Sequence, residues 1–217
     1  MNEKLDQVVI DIEFLLISVV QGVALAALAS SATPVVASLK FEYWPYIISG
    51  FLFILIFWSQ AIMHVIGFIR WPIDMIHNFI YFLASLIEVI AFSEMENPLF
   101  WFMAIFIFVV VSALLYLYDF KMMNERKQIL SKTLPGKELF NDLIKEQSFY
   151  IRFVVPSGLI FNLGCILLIH RYPAIFIEQH FHLILIGLQI FFALGILFSS
   201  LKTFNRRLKL IQKSELI

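Results

Sequence analysis

Asp74, His77, Asn78, Tyr81, Ser85 and Glu88 follow one another at steps of three or four residues. On an α-helix they share one face. Together they offer carboxylates, an imidazole, an amide and hydroxyls, the groups that pass protons or hold cations. The segment around them, PIDMIHNFIYFLASLIEVIAFS over 72–93, is otherwise apolar and long enough to cross a bilayer. An Asp, Lys or Arg at the centre of a spanning helix costs roughly 2.5–3.5 kcal/mol on insertion scales. Such a stripe therefore belongs against a bundle interior, a water-filled cavity or an ion path.

The elements that position this stripe follow from hydropathy. Of 217 residues, 61% are hydrophobic and 15% charged, against about 25% charged in a soluble domain. Six runs are long and apolar enough to span, at 8–32, 44–69, 72–93, 98–120, 149–170 and 174–201. The expected fold is all-α: a polytopic integral membrane protein of six transmembrane helices, forming one domain over 1–217. Pro34, Pro45, Pro72, Pro98 and Pro173 stand in turns or at helix starts, where a missing amide is harmless. Pro156, beside Ser157 and Gly158, falls inside the fifth span and predicts a kink. With both termini in the cytoplasm, all but Lys40 and Arg171 of the 16 Lys and Arg residues lie on the inner side. A bacterial inner membrane is the expected location. The connector 121–147 is charged and cytoplasmic. Leu139, Leu143 and Ile144 within it fit either a short amphipathic helix along the membrane or a solvated connector.

Composition also excludes functions. A net charge of zero gives no field for nucleic acid. The single cysteine, Cys165, precludes an intrachain disulfide and cysteine-cluster metal or iron–sulfur sites. No HExxH run or catalytic dyad stands out, so the chain is not expected to be an enzyme. The mixed-charge start MNEKLDQ and the long first apolar run do not read as a cleavable signal peptide.

Topology divides the stripe between two networks. The short connection between the second and third spans makes them antiparallel neighbours, with His64 and His77 at one level in the inner leaflet. An inner network of Asp11, His64, Arg70, Asp74, His77, Asn78 and Arg152 is expected, with Glu13 nearby. An outer network sets Glu88 opposite Glu178 and His182, with Gln189 on the same face. Tyr81 and Ser85 are the steps between. Structural roles compete: Asp74 at a helix start complements the helix dipole, the histidines serve as hydrogen-bond partners, and Glu178 sits among headgroups. In the first span Gly22, Ala26 and Ser30 recur every four residues. That spacing suits close helix packing within the chain, or the axis of an oligomeric pore.

Within the second and third spans, Ile56-Phe57-Trp58 precedes His64 and then Asn78, and Pro34 closes the first span. In this order the first half of the chain resembles bacterial relatives of the endolysosomal potassium channels. The family's arginine followed by Phe-Ser-Asp has only Phe14 and Ser18 as remnants here. The resemblance implies a six-helix unit assembling as a homo-oligomer around a pore lined by the first helix. Four functions follow from the sequence. The first is an oligomeric, channel-like ion conductor, pH-sensitive through the inner histidines. The second is a proton-coupled transporter or proton relay using Glu88. The third is a non-catalytic membrane subunit of a stress-response or phage-defence system, docking a soluble partner at 121–147 or the basic C-terminal tail. The fourth is a b-type haem protein, its histidine pairs being His64 with His77 and His170 with His182. The other three need no cofactor. The lipid bilayer is the one partner common to all.

Overall fold

A computed structural model describes residues 3–67, 75–130 and 134–215. Side chains are described at 8, 11–63, 75–125 and 137–209. Among the described residues there is no strand. The chain is an all-α polytopic membrane protein with six helical stretches long and apolar enough to cross a bilayer.

The helices are α1 (Glu3–Ala37), α2 (Trp44–Gly67), α3 (Met75–Ser93), α4 (Pro98–Leu130), α5 (Leu134–Phe149), α6 (Val155–Arg171) and α7 (His182–Glu215). Several boundaries differ from those read by hydropathy. α1 runs past Pro34, which lies inside the helix. The lost amide leaves one carbonyl a turn earlier without its usual donor, and Thr33 Oγ1 bonds Ala29 O at 2.8 Å beside it. α4 continues past Phe120 to Leu130, so much of 121–147 is not a loop. Lys, Met, Glu, Arg and Gln there are good helix formers, and nothing breaks the helix where the apolar run stops. From Leu134 the chain is α5, which reaches α6 through a π-helical turn, Tyr150–Val154. Pro156 explains the turn. Its ring has no amide to close an α-helical bond, so the preceding backbone widens.

The interior is layered along the bundle. Near the outer ends, Tyr46, Phe92, Trp101, Phe102, Ile169 and Ile186 form the largest apolar cluster. A middle layer holds Ile17, Phe57, Tyr81, Ala84, Phe108 and Val111. Beyond the inner ends, Met123, Phe140 and Leu143 bind α5 to the extension of α4. The surface carries many large apolar side chains: Phe191, Ile160 and Phe198 are 78%, 73% and 67% exposed. In water such a surface would aggregate; in lipid it is solvated.

α3 lies chiefly against α4 and α1, and α2 chiefly against α7 and α1. Thus α2 and α3, although sequential, are not each other's main partners. They meet where Phe57 and Tyr81 stack with centroids 4.8 Å apart. Gly50 lets α1, α2 and α3 converge, since a Cβ there would stand 2.9 Å from Phe92 and 3.0 Å from Leu28. At the outer surface Lys40, in the α1–α2 turn, is ion-paired with Glu96, in the α3–α4 turn. The hydrogen bond to Glu96 lifts the Lys40 ammonium above its ordinary value of 10.5.

Candidate functional site

Most polar groups inside the bundle are paired, and the pairings show which are structural. Gln189 on α7 is the hub of the outer half. Its Oε1 accepts from Ser49 Oγ at 3.1 Å and from Trp101 Nε1 at 2.9 Å. Its Nε2 donates to Asn162 Oδ1 at 3.0 Å, and Asn162 Nδ2 donates to Gly158 O at 2.8 Å. This one amide therefore braces α2, α4, α6 and α7. Deeper, Gln60 Nε2 donates to Tyr150 OH at 2.8 Å and Ser200 Oγ at 2.7 Å. At the inner end Arg207, 3% exposed, binds Asp142 with Nε at 3.0 Å and also holds Glu146, locking α7 to α5.

A second set of polar groups lies between α1, α3 and α4. At the inner end Asn78 Nδ2 donates to Glu13 Oε1 at 3.2 Å. His77 Nε2 lies 3.3 Å from Asp119 Oδ1. These four residues line a cavity of about 60 Å³ that reaches Phe57, Tyr81, Ser112 and Tyr116. A second cavity of about 90 Å³ extends toward α6 and α7 and shares Phe57, Gln60, Ser112 and Tyr116. Both cavities are lined mainly by apolar side chains, and the polar groups of the first gather at its inner end. Above the first cavity, Gln21 Nε2 reaches Tyr81 OH at 3.2 Å and Ser85 Oγ at 3.5 Å. Glu88 follows Ser85 by one helical turn, about 15 Å along the axis from Asn78. It is 0% exposed, and neither carboxylate oxygen has a hydrogen-bond donor among the described residues. Gln21 Oε1 is likewise buried without a partner. Beyond Glu88 the interior is closed by Phe92, Met95 and Trp101, all buried.

Of the expected inner network, the structure places two members, His77 and Asn78, at the first cavity between α1, α3 and α4. Asp11 and Arg152 are exposed. Arg70, Asp74 and the side chain of His64 lie outside the described residues. Asp119 was missed, although it is the sole acidic residue of the 98–120 run and that alone marked it. The expected outer network is not formed. Glu88 has no hydrogen-bond partner among the described residues, whereas His182 Nδ1 is 3.0 Å from Tyr46 OH, and Glu178 is exposed in the π-helical turn Ala174–Glu178. The reason is lateral: among the described residues α3 lies chiefly against α4 and α1, and α7 chiefly against α2. Gly22, Ala26 and Ser30 are exposed, and a Cβ on Gly22 would meet no atom within 4 Å. The face α1 turns inward instead carries Gln21, Ala24 and Leu28. Gln21, a lone amide in an apolar run, was the signal for it. Among the described residues no three His, Cys, Asp or Glu side chains gather as a metal site. Compared with known protein families, curated proteins and solved structures, the chain matches none.

Proposed function

We propose that this membrane protein transports ions, passing a proton or small cation along the polar track between α1, α3 and α4. The observation that carries the reading is Glu88, wholly enclosed and without a hydrogen-bond donor to either oxygen. Structural glutamates in apolar surroundings are paired, because an unpaired buried polar group costs about 1–3 kcal/mol. A carboxylate kept unpaired at membrane depth has a functional use by default. The rest of the track supports the reading. Glu13, Asn78, His77 and Asp119 make a polar mouth at the inner end, and Tyr81, Gln21 and Ser85 form a ladder toward Glu88. The outer end is sealed by Phe92, Met95 and Trp101, so on this reading exchange is from the inner side. Transport is tested by ion flux into proteoliposomes. Glu88→Gln stops flux while the variant keeps its helix content and its elution profile in detergent. Undiminished flux through that variant overturns the reading.

A second reading places the path between chains. The exposed Gly22, Ala26 and Ser30 line the outer face of α1, where small residues allow helices to approach or leave room for a pore. In that case Ala26→Cys forms disulfide-linked dimers within a homo-oligomer. A strictly monomeric protein in detergent and in lipid discs rules it out.

A further inference from the structure

Three buried oxygens between α1 and α3 are acceptors without donors: both carboxylate oxygens of Glu88 and Oε1 of Gln21. They belong to neighbouring places. Gln21 touches Ser85, and Ser85 is one turn from Glu88 on the same helix face. α1 and α3 run in the same direction, so the residue one turn above Gln21 faces the level of Glu88. That residue is Ala24, 0% exposed, the smallest side chain that a helix interior favours. Ser85 Oγ adds a fourth oxygen and Tyr81 OH a fifth on the side of Gln21.

Chemistry narrows what satisfies such a set. A single proton on Glu88 serves at most two of the three unpaired oxygens. A metal cation draws on all of them at once. All the donor atoms are oxygen, which suits hard cations rather than zinc or copper. One carboxylate supplies one negative charge, and in a low-dielectric interior one charge balances one. A divalent ion would remain half uncompensated. The enclosure of Glu88 favours the smaller alkali ions over potassium.

We propose that Glu88, Gln21 and Ser85 form a sodium-ion site between α1 and α3, at the upper end of the polar track. This rests on the reading that the protein transports ions, and it names the ion. Gln21 is then a ligand through its carbonyl oxygen, and its amide nitrogen orients it by holding Tyr81 and Ser85.

The test is thermal unfolding of the full chain in detergent in sodium, potassium or choline chloride at equal ionic strength, together with equilibrium binding of radioactive sodium. Sodium raises Tm by several degrees over choline, because a ligand bound only by the folded state stabilises it. Glu88→Gln and Gln21→Leu each lose that shift. If either variant fails to fold, sodium binding by the wild-type chain still decides. Identical melting in all three salts and no bound sodium overturn the site. Equal stabilisation by potassium overturns the choice of ion. The two proposals fail separately. Flux lost in Glu88→Gln with no sodium effect leaves a proton as the transported ion. Flux retained in Glu88→Gln removes the transport reading, whatever sodium does to Tm.

Discussion

Replacing Glu88 by methionine should stabilise the protein. Methionine keeps the length and nearly the volume of the glutamate side chain and adapts its shape to the space. No cavity is opened and no clash is introduced, so the packing contribution is close to zero. No hydrogen bond is lost either, since neither carboxylate oxygen has a donor among the described residues. What disappears is the penalty for two unsatisfied acceptors in a site that is 0% exposed. A buried unsatisfied polar group costs about 1–3 kcal/mol, and insertion scales give roughly 2.5–3.5 kcal/mol for Asp, Lys or Arg at the membrane centre. Glu88→Met is therefore expected to stabilise by about 1–3 kcal/mol, measured with choline as the sole monovalent cation so that no metal ion contributes. Flux into proteoliposomes should vanish in the same variant. The assay is reversible unfolding by SDS in mixed micelles, followed by tryptophan fluorescence. Destabilisation by more than about 1 kcal/mol would refute the reasoning, because it would mean that the carboxylate makes interactions worth more than its burial costs.

The opposite sign is expected at Gln189→Leu. Three interhelical hydrogen bonds go with the amide, each worth about 0.6 kcal/mol on average in a membrane protein. Together with the orphaned Trp101 indole, this makes a loss of about 2–4 kcal/mol, read in the same SDS titration. Arg207→Ala leaves Asp142 and Glu146 without their shared cation. Removing one partner from a buried ion pair costs about 3–5 kcal/mol, and these partners are partly exposed, so about 2–3 kcal/mol is expected. Limited proteolysis should then cut within α5 faster than in the wild type. The Lys40–Glu96 tie between the outer turns should be intact at neutral pH and be lost as pH rises through the value of Lys40, which lies above 10.5. A lysine raised in the folded state stabilises below its unfolded value, and that stability declines above it. Faster proteolysis of the α1–α2 turn in alkali, absent in Glu96→Gln, checks this.

The spans were legible because hydrophobic length is imposed by the bilayer and needs no partner to be recognised. Helix ends were less so. Pro34 and the charged run after Phe120 lie where hydropathy falls but helical hydrogen bonding continues, and a hydropathy window cannot separate the two. The stripe on α3 was also legible, since periodicity is local. Its partners were not. Which helix faces Glu88 depends on lateral order around the bundle, and sequence order misleads there: α2 turns to α7, and α3 turns to α4 and α1. His182 shows the consequence. From spacing it was a natural mate for Glu88, yet it belongs to Tyr46 at 3.0 Å. Gln21 was legible only as an isolated amide, and its meaning appears once Tyr81 and Ser85 stand beside it.

The two glutamines show how the bundle separates support from function. Both are nearly fully buried, Gln189 at 2% exposure and Gln21 at 4%. Both sit in apolar helices, and both reach across to neighbouring helices. Gln189 has its oxygen and nitrogen engaged by Ser49, Trp101 and Asn162. Gln21 has its nitrogen engaged, and its oxygen has no donor beside a carboxylate in the same condition. The chain thus satisfies a buried amide fully where four helices must be held together. The deficit at Gln21 and Glu88 is therefore not a general failure of polar packing in this interior. At Gln21 and Glu88 the unpaired oxygens stand close together, at the upper end of the polar ladder. A double-mutant cycle separates the two amides. Gln189→Leu with Trp101→Phe should show coupling of about 0.5–1.5 kcal/mol. Gln21→Leu with Glu88→Met, in choline, should show coupling near zero, because without the cation those two side chains have no bond between them to lose.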